Sequence, residues 1–106
     1  MLLEGLKQMY KPLPYYLTIK PSEIEGLGLF TTDDIDNNHI LGITHVSDTR
    51  FEDCYVRTPL GGFFNHSETP NCKIITDGDY LMLQAIRDIK AGEEITAYYT
   101  LYNPTK

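Results

Sequence analysis

The chain has 106 residues, 15 of them acidic and nine basic, for a formal net charge of −6. That length sets one domain with a single modest core, and that charge excludes a nucleic-acid backbone as the main partner, favouring basic proteins or peptides instead. Only two cysteines are present, Cys54 and Cys72, without C-x-x-C spacing, which excludes a disulfide framework and a four-ligand zinc set, so no metal site is expected.

Leu2, Leu3, Leu6, Met9 and Tyr10 recur at helical spacing, and Pro12 and Pro14 close the run. The pattern predicts a helical segment over 1–14, too short to be stable unless its apolar face docks on something. Two docking partners compete: the chain's own domain, or a second copy, which would make a homodimer. Glu4 and Lys7 interrupt the apolar stretch, so no signal-peptide run forms, and nothing reaches transmembrane length. The expectation is a soluble, intracellular, reduced protein with no membrane partner.

Tyr15–Lys20 is aromatic and β-branched and predicts a strand; Pro21 and the Gly26/Gly28 pair predict a loop. Leu29–Thr32 reads as a brief strand, Asp36-Asn37-Asn38 as a turn and His39–Val46 as a further strand. Phe51–Thr58 reads as a strand ahead of Pro59-Leu60-Gly61-Gly62, a breaker. Lys73–Thr76 and Tyr80–Ile86 flank Asp77-Gly78-Asp79, a hairpin signal because the turn needs positive φ. Lys90-Ala91-Gly92-Glu93 is a turn, and Glu94–Tyr99 the last strand. Many short strands with frequent turns predict a mainly β fold.

Three segments carry chemistry. Glycines in Gly26-x-Gly28 let a backbone approach a ligand or reach positive φ, but no third glycine opens a helix, so this is not a dinucleotide fingerprint. Asn65-His66-Ser67 matches the glycosylation pattern only by accident in a chain without a secretory signal. His66 beside Ser67 lacks the G-x-S-x-G elbow of a hydrolase. Tyr99, in isolation, reads as a packing residue.

Taken together and in this order, Glu25-Gly26-Leu27-Gly28-Leu29-Phe30, Gly62-Phe63-Phe64-Asn65-His66-Ser67-Glu68-Thr69-Pro70-Asn71-Cys72 and Gly92-Glu93-Glu94-Ile95-Thr96-Ala97-Tyr98-Tyr99 resemble the motifs of the SET-domain family. That family transfers methyl groups from S-adenosylmethionine to lysine side chains. The resemblance runs from about Tyr15 to Tyr102, giving a domain over 15–102 and a tail over 103–106. It implies a SET-like (β-clip) fold of several small sheets with a knot-like C-terminal segment, a rare exception to unthreaded topology.

The resemblance also implies roles. The backbone at Gly26, Leu27 and Gly28 would hold the methionine end of S-adenosylmethionine. The backbone of Asn65 and His66 would read its adenine, with the Asn65 side chain near its amino-acid end. Tyr99 would lie against the cofactor as the catalytic residue, its hydroxyl aligning methyl and incoming amine. Tyr98 and Tyr102 are candidates for the wall of a lysine channel, or else surface packing. Several features depart from the family pattern. Gly62 stands where relatives often carry Arg, and the small Ala97 leaves the number of methyl groups open. No cysteine cluster follows the last motif, and only residues 47–64 stand where a peptide-binding insert is usual. The expected function is protein-lysine N-methyltransferase acting on a basic protein or peptide; the alternative is a non-catalytic SET-like binding or assembly module.

Overall fold

Residues 17–21 and 27–31 form an antiparallel hairpin, β1 (Leu17–Pro21) and β2 (Leu27–Thr31), with Leu17 opposite Thr31 and Pro21 opposite Leu27. Its inward side chains, Leu17, Leu29 and Thr31, are buried, the period-2 alternation of a sheet with one covered face. Pro21 cannot donate to a ladder, and the chain turns there, with Ser22 N–H donating to the Gly26 carbonyl at 2.8 Å. The computed structural model of the protein describes residues 13–50 and 55–98. The apolar stripe at 2–10 and the dimer contact expected of it lie outside the described residues, as do Tyr99, Tyr102 and the tail.

The described residues form a second sheet of six strands: β3 (Ile40–Ser47), β4 (Tyr55–Arg57), β5 (Asn65–His66), β6 (Cys72–Asp77), β7 (Tyr80–Ala85) and β8 (Thr96–Ala97), in the order β4-β3-β7-β6-β8-β5. β6 and β7 pair from Cys72↔Ala85 to Asp77↔Tyr80, and Gly78 takes the φ of +62° that the Asp-Gly signal predicts. β8 pairs in parallel with β5 on one side and with Cys72 of β6 on the other. It therefore fills the slot between two consecutive strands whose link, residues 67–71, spans it. This is the interlocked arrangement expected of the C-terminal segment.

Two local expectations are corrected. Pro59–Phe63 is not a breaker but a short helix, α1. Proline is suited to the first helical position, where its missing N–H is no loss, and Thr58 caps the turn, its Oγ1 accepting from Gly61 N–H at 3.2 Å. Leu60 then enters the core. The last strand is shorter than Glu94–Tyr99, because this segment changes sheets. Glu94 bridges Phe30 of β2, and Ile95 N–H donates to the Leu29 carbonyl at 2.7 Å, before Thr96 and Ala97 join the larger sheet.

Leu17, Leu29, Ile35, Leu41, Leu60, Phe64, Leu83, Ile89 and Ile95 make one core under both sheets. Cys72 sits in it fully buried, and burial pushes its thiol up to about 12, so it packs as a small neutral hydrophobe. No helix of the described residues is long and apolar enough to cross a membrane. α1 lies flush on β3: a Cβ on Gly61 would run into the carbonyl oxygen of Thr44, with Thr44 C at 2.9 Å. Backbone cannot yield as a side chain tip can, so Gly61→Ala will lower unfolding free energy by about 2 kcal/mol. At neighbouring Gly62 a Cβ would meet nothing nearer than Arg57 Cδ at 3.6 Å, so Gly62→Ala stays within about 0.5 kcal/mol of the parent. Urea denaturation of the two variants reads the difference.

Candidate functional site

The slot that receives β8 brings the three motif segments together. Asn71, only 2% exposed, is the clamp. Its Nδ2 donates to the Glu94 carbonyl at 2.7 Å, its Oδ1 accepts from Thr96 N–H at 2.9 Å, and its own N–H donates to Thr96 Oγ1 at 3.2 Å. A buried amide is tolerated when its donors and acceptor are matched in this way. The segment after Pro70 and the segment after Gly92 are thereby locked in register.

Next to the clamp the Glu94 carboxylate points at the hairpin turn of β1 and β2. Ser22 Oγ donates to its two oxygens, at 2.9 and 2.8 Å, and Asn65 Nδ2 donates to Oε2 at 2.7 Å. Asn65 Nδ2 also lies 3.1 Å from Ser22 Oγ and 3.3 Å from the Glu25 carbonyl. The turn is wound around the same hydroxyl, which accepts from Ile24 N–H at 2.8 Å and Glu25 N–H at 3.3 Å. Gly26 completes it at φ +46°, a region that favours glycine. Gly28 is buried for a different reason: a Cβ there would overlap the Glu94 carboxylate. Leu27, between them, is 54% exposed.

β5 is the outer strand of its sheet among the described residues. Ser67 N–H donates to the Ala97 carbonyl at 3.1 Å, and His66 pairs with Ala97. In a parallel ladder this directs the His66 N–H and carbonyl away from β8, to the outer edge. The His66 ring stacks on Tyr98, centroids 4.8 Å apart at 57°, and its Nε2 lies 3.1 Å from Glu68 Oε2. Tyr98 itself is half-exposed. Glu93 faces outward instead: its carboxylate is held below the usual range by the Arg87 guanidinium at 3.0 Å and by the Lys90 N–H at 2.7 Å. It ties the turn at Gly92 rather than the site.

Of the residues expected to act, the structure gathers Gly28 and Asn65 around one carboxylate, with Gly26 in the adjoining turn, where its carbonyl accepts from Ser22 N–H, and His66 and Tyr98 one step along the same edge. Leu27 flanks the turn with its side chain largely exposed, and Tyr99 and Tyr102 lie outside the described residues. Three participants escaped the sequence: Ser22, Asn71 and Glu94. Asn71 and Glu94 stood inside the motifs, but nothing in composition or spacing distinguishes a clamp from a surface polar residue. Ser22, after Pro21, reads only as turn chemistry. An apolar cavity of about 580 Å³ opens elsewhere, lined by Leu13, Pro14, Tyr15, Leu41 and Leu60 among others, and none of Gly26, Gly28, Asn65 or His66 borders it.

The SET domain family model matches residues 43–100. The histone-lysine N-methyltransferase SMYD3 of Mus musculus and that of Homo sapiens are each 49% identical over 41 residues, covering 39% of this chain and 10% of theirs. The histone-lysine N-methyltransferase set9 of Schizosaccharomyces pombe is 47% identical over 38 residues, 36% of this chain and 9% of that protein. The chain thus spans about a tenth of the length of these curated relatives. Among solved structures, a candidate histone methyltransferase of Plasmodium falciparum superposes with a TM-score of 0.69 over 89% of this chain and 100% of that one, at 21% identity. At that identity the likeness speaks for the fold.

Proposed function

The chain belongs to the SET-domain family, and on that premise we propose that it is a protein-lysine N-methyltransferase, transferring a methyl group from S-adenosylmethionine to a lysine of a basic protein or peptide. The observation that carries this reading is the Asn65 amide at the meeting point of all three motif segments. Its Nδ2 is committed to Glu94, Ser22 and the Glu25 carbonyl, so Oδ1 keeps the acceptor capacity that an α-ammonium group needs. The outward His66 N–H and carbonyl form a donor–acceptor pair of the kind that reads an adenine edge. These features fit S-adenosylmethionine, which when bound supplies a methyl on a sulfonium.

This chain's residues have three tasks in such a reaction. Asn65 and the backbone of His66 and of 26–28 orient the cofactor. Tyr99 directs its hydroxyl at the reacting centre, holding the lysine nitrogen in line, because a displacement of this kind needs alignment more than a strong base. Tyr98 and Tyr102 wall the channel and exclude water. The lysine must arrive neutral although its reference pKa is about 10.4, and desolvation between tyrosine rings favours the neutral amine. The net charge of −6 draws basic substrates to the surface.

Calorimetric titration with S-adenosylmethionine tests the reading, followed by methyl transfer onto an array of lysine peptides. Saturable binding and labelled lysine-containing basic peptides are expected. Asn65→Ala, still folded, should lose roughly 1–3 kcal/mol of cofactor affinity, because polar ligand groups are left unpaired. Wild-type affinity in that variant removes Asn65 from the site, and the absence of any binding by the parent chain removes the function. Binding without transfer would leave a cofactor-holding interaction module.

A further inference from the structure

We infer that Glu94 is a positioning residue that sets which end of the Asn65 amide faces the cofactor, and that Gly28 belongs to the site chiefly because it makes room for that carboxylate. The inference rests on the proposed use of S-adenosylmethionine and names the device that selects its amino-acid end.

A primary amide is nearly symmetric in shape and offers either a donor or an acceptor to a ligand, according to its rotation. At Asn65 that choice is made by the protein. Glu94 Oε2 lies 2.7 Å from Nδ2, Ser22 Oγ 3.1 Å and the Glu25 carbonyl 3.3 Å. The Ser22 proton is spent on Glu94, so toward Asn65 the hydroxyl is an acceptor too. Rotating the amide would set its oxygen against a carboxylate, a carbonyl and a lone pair at once. The Oδ1 acceptor is therefore the group presented to a ligand, with the carboxylate charge behind it. That combination favours an ammonium over a carboxylate or a neutral group.

Glu94 is itself held by two neighbours. Its carbonyl receives Asn71 Nδ2 at 2.7 Å, and the next residue's N–H is bonded to Leu29 at 2.7 Å. The side chain leaves this pinned backbone and passes over the bare Cα of Gly28, where a Cβ would displace it. A substitution at either position should therefore produce the same defect, although only one of them removes the carboxylate.

The experiment compares two probes on the full chain: S-adenosylhomocysteine, which carries the amino-acid end, and 5′-methylthioadenosine, which lacks it. Glu94→Ala should weaken S-adenosylhomocysteine at least tenfold and leave 5′-methylthioadenosine within about twofold. Gly28→Ala should show the same one-sided loss with Glu94 still in the chain, and Glu94→Gln, which keeps one acceptor oxygen for Nδ2, should recover much of the lost discrimination. Equal losses on both probes would mean that Glu94 only supports the fold, and unchanged affinities would mean that it does not act on the site; either overturns the inference. If Glu94→Ala does not fold, the ratio of the two affinities in Glu94→Gln and Gly28→Ala decides. Failure of the parent chain to bind either probe is a different result, and overturns the proposed function itself.

Discussion

Asn71→Ala will cost about 3 kcal/mol of folding free energy, a large part of the 5–15 kcal/mol typical of a domain. The truncation removes the partner of two backbone groups at once, the Thr96 N–H and the Glu94 carbonyl, inside a region where Asn71 is 2% exposed. A buried group left unpaired costs roughly 1–3 kcal/mol, and the vacated volume adds to that. Asn71→Asp should also destabilise, because a carboxylate can still accept from Thr96 but meets the Glu94 carbonyl with no proton to offer. Urea unfolding followed by circular dichroism checks both, with the midpoint falling while the slope is kept. A midpoint unchanged from the parent would show that the clamp is dispensable. Because Asn71 joins the segments that hold Asn65 and Glu94, cofactor affinity should fall with it.

Tyr99→Phe should reduce methyl transfer by roughly 10²–10³, the scale seen when one stabilising hydroxyl or amide is removed from a reacting centre. The ring remains to fill its place, so unfolding free energy and S-adenosylhomocysteine affinity should change little. A fall in kcat without a matching change in cofactor binding identifies an interaction made on the way to the transition state. Turnover equal to that of the parent would take Tyr99 out of the mechanism. The pairing of these two variants is informative: one should lose structure and, with it, function, the other function alone.

The hairpins could be read from the sequence because their signals are local. Asp77-Gly78 demands a positive φ that few residues supply, and the flanking apolar runs are long enough to alternate. α1 was hidden because Pro59, Gly61 and Gly62 have the composition of a breaker, and what makes them helical is tertiary: the Thr58 cap and the close seat of Gly61 on Thr44. β5 has only two residues, too few for any periodicity, and its partner β8 comes from a segment far along the chain. The site divides in the same way. Asn65, His66 and the glycine pair are marked by motifs, whereas the bond between Ser22 and Glu94 joins residues 72 positions apart and has no sequence signature. Gly28 reads in the sequence as a glycine that lets a ligand approach, whereas the neighbour that requires it here is a side chain of the protein itself, the Glu94 carboxylate.

The placement of β8 has a consequence for the order in which the molecule can be completed. As a nascent chain lengthens, β5 and β6 both emerge before the segment that separates them, and until residues 96–97 arrive they bound a gap about one strand wide, roughly 4.8 Å on each side. If the gap closes early, β5 and β6 meet in a pairing that must be undone; if it stays open, hydrogen-bonding edges are exposed to other chains. The link over 67–71 also joins the two strands at one end of the gap, so the late segment has to settle between two existing neighbours rather than add to an outer edge. Maturation should therefore be slow for a chain of this size, and cutting the chain within 67–71 should make the last step faster even where it leaves the finished structure weaker.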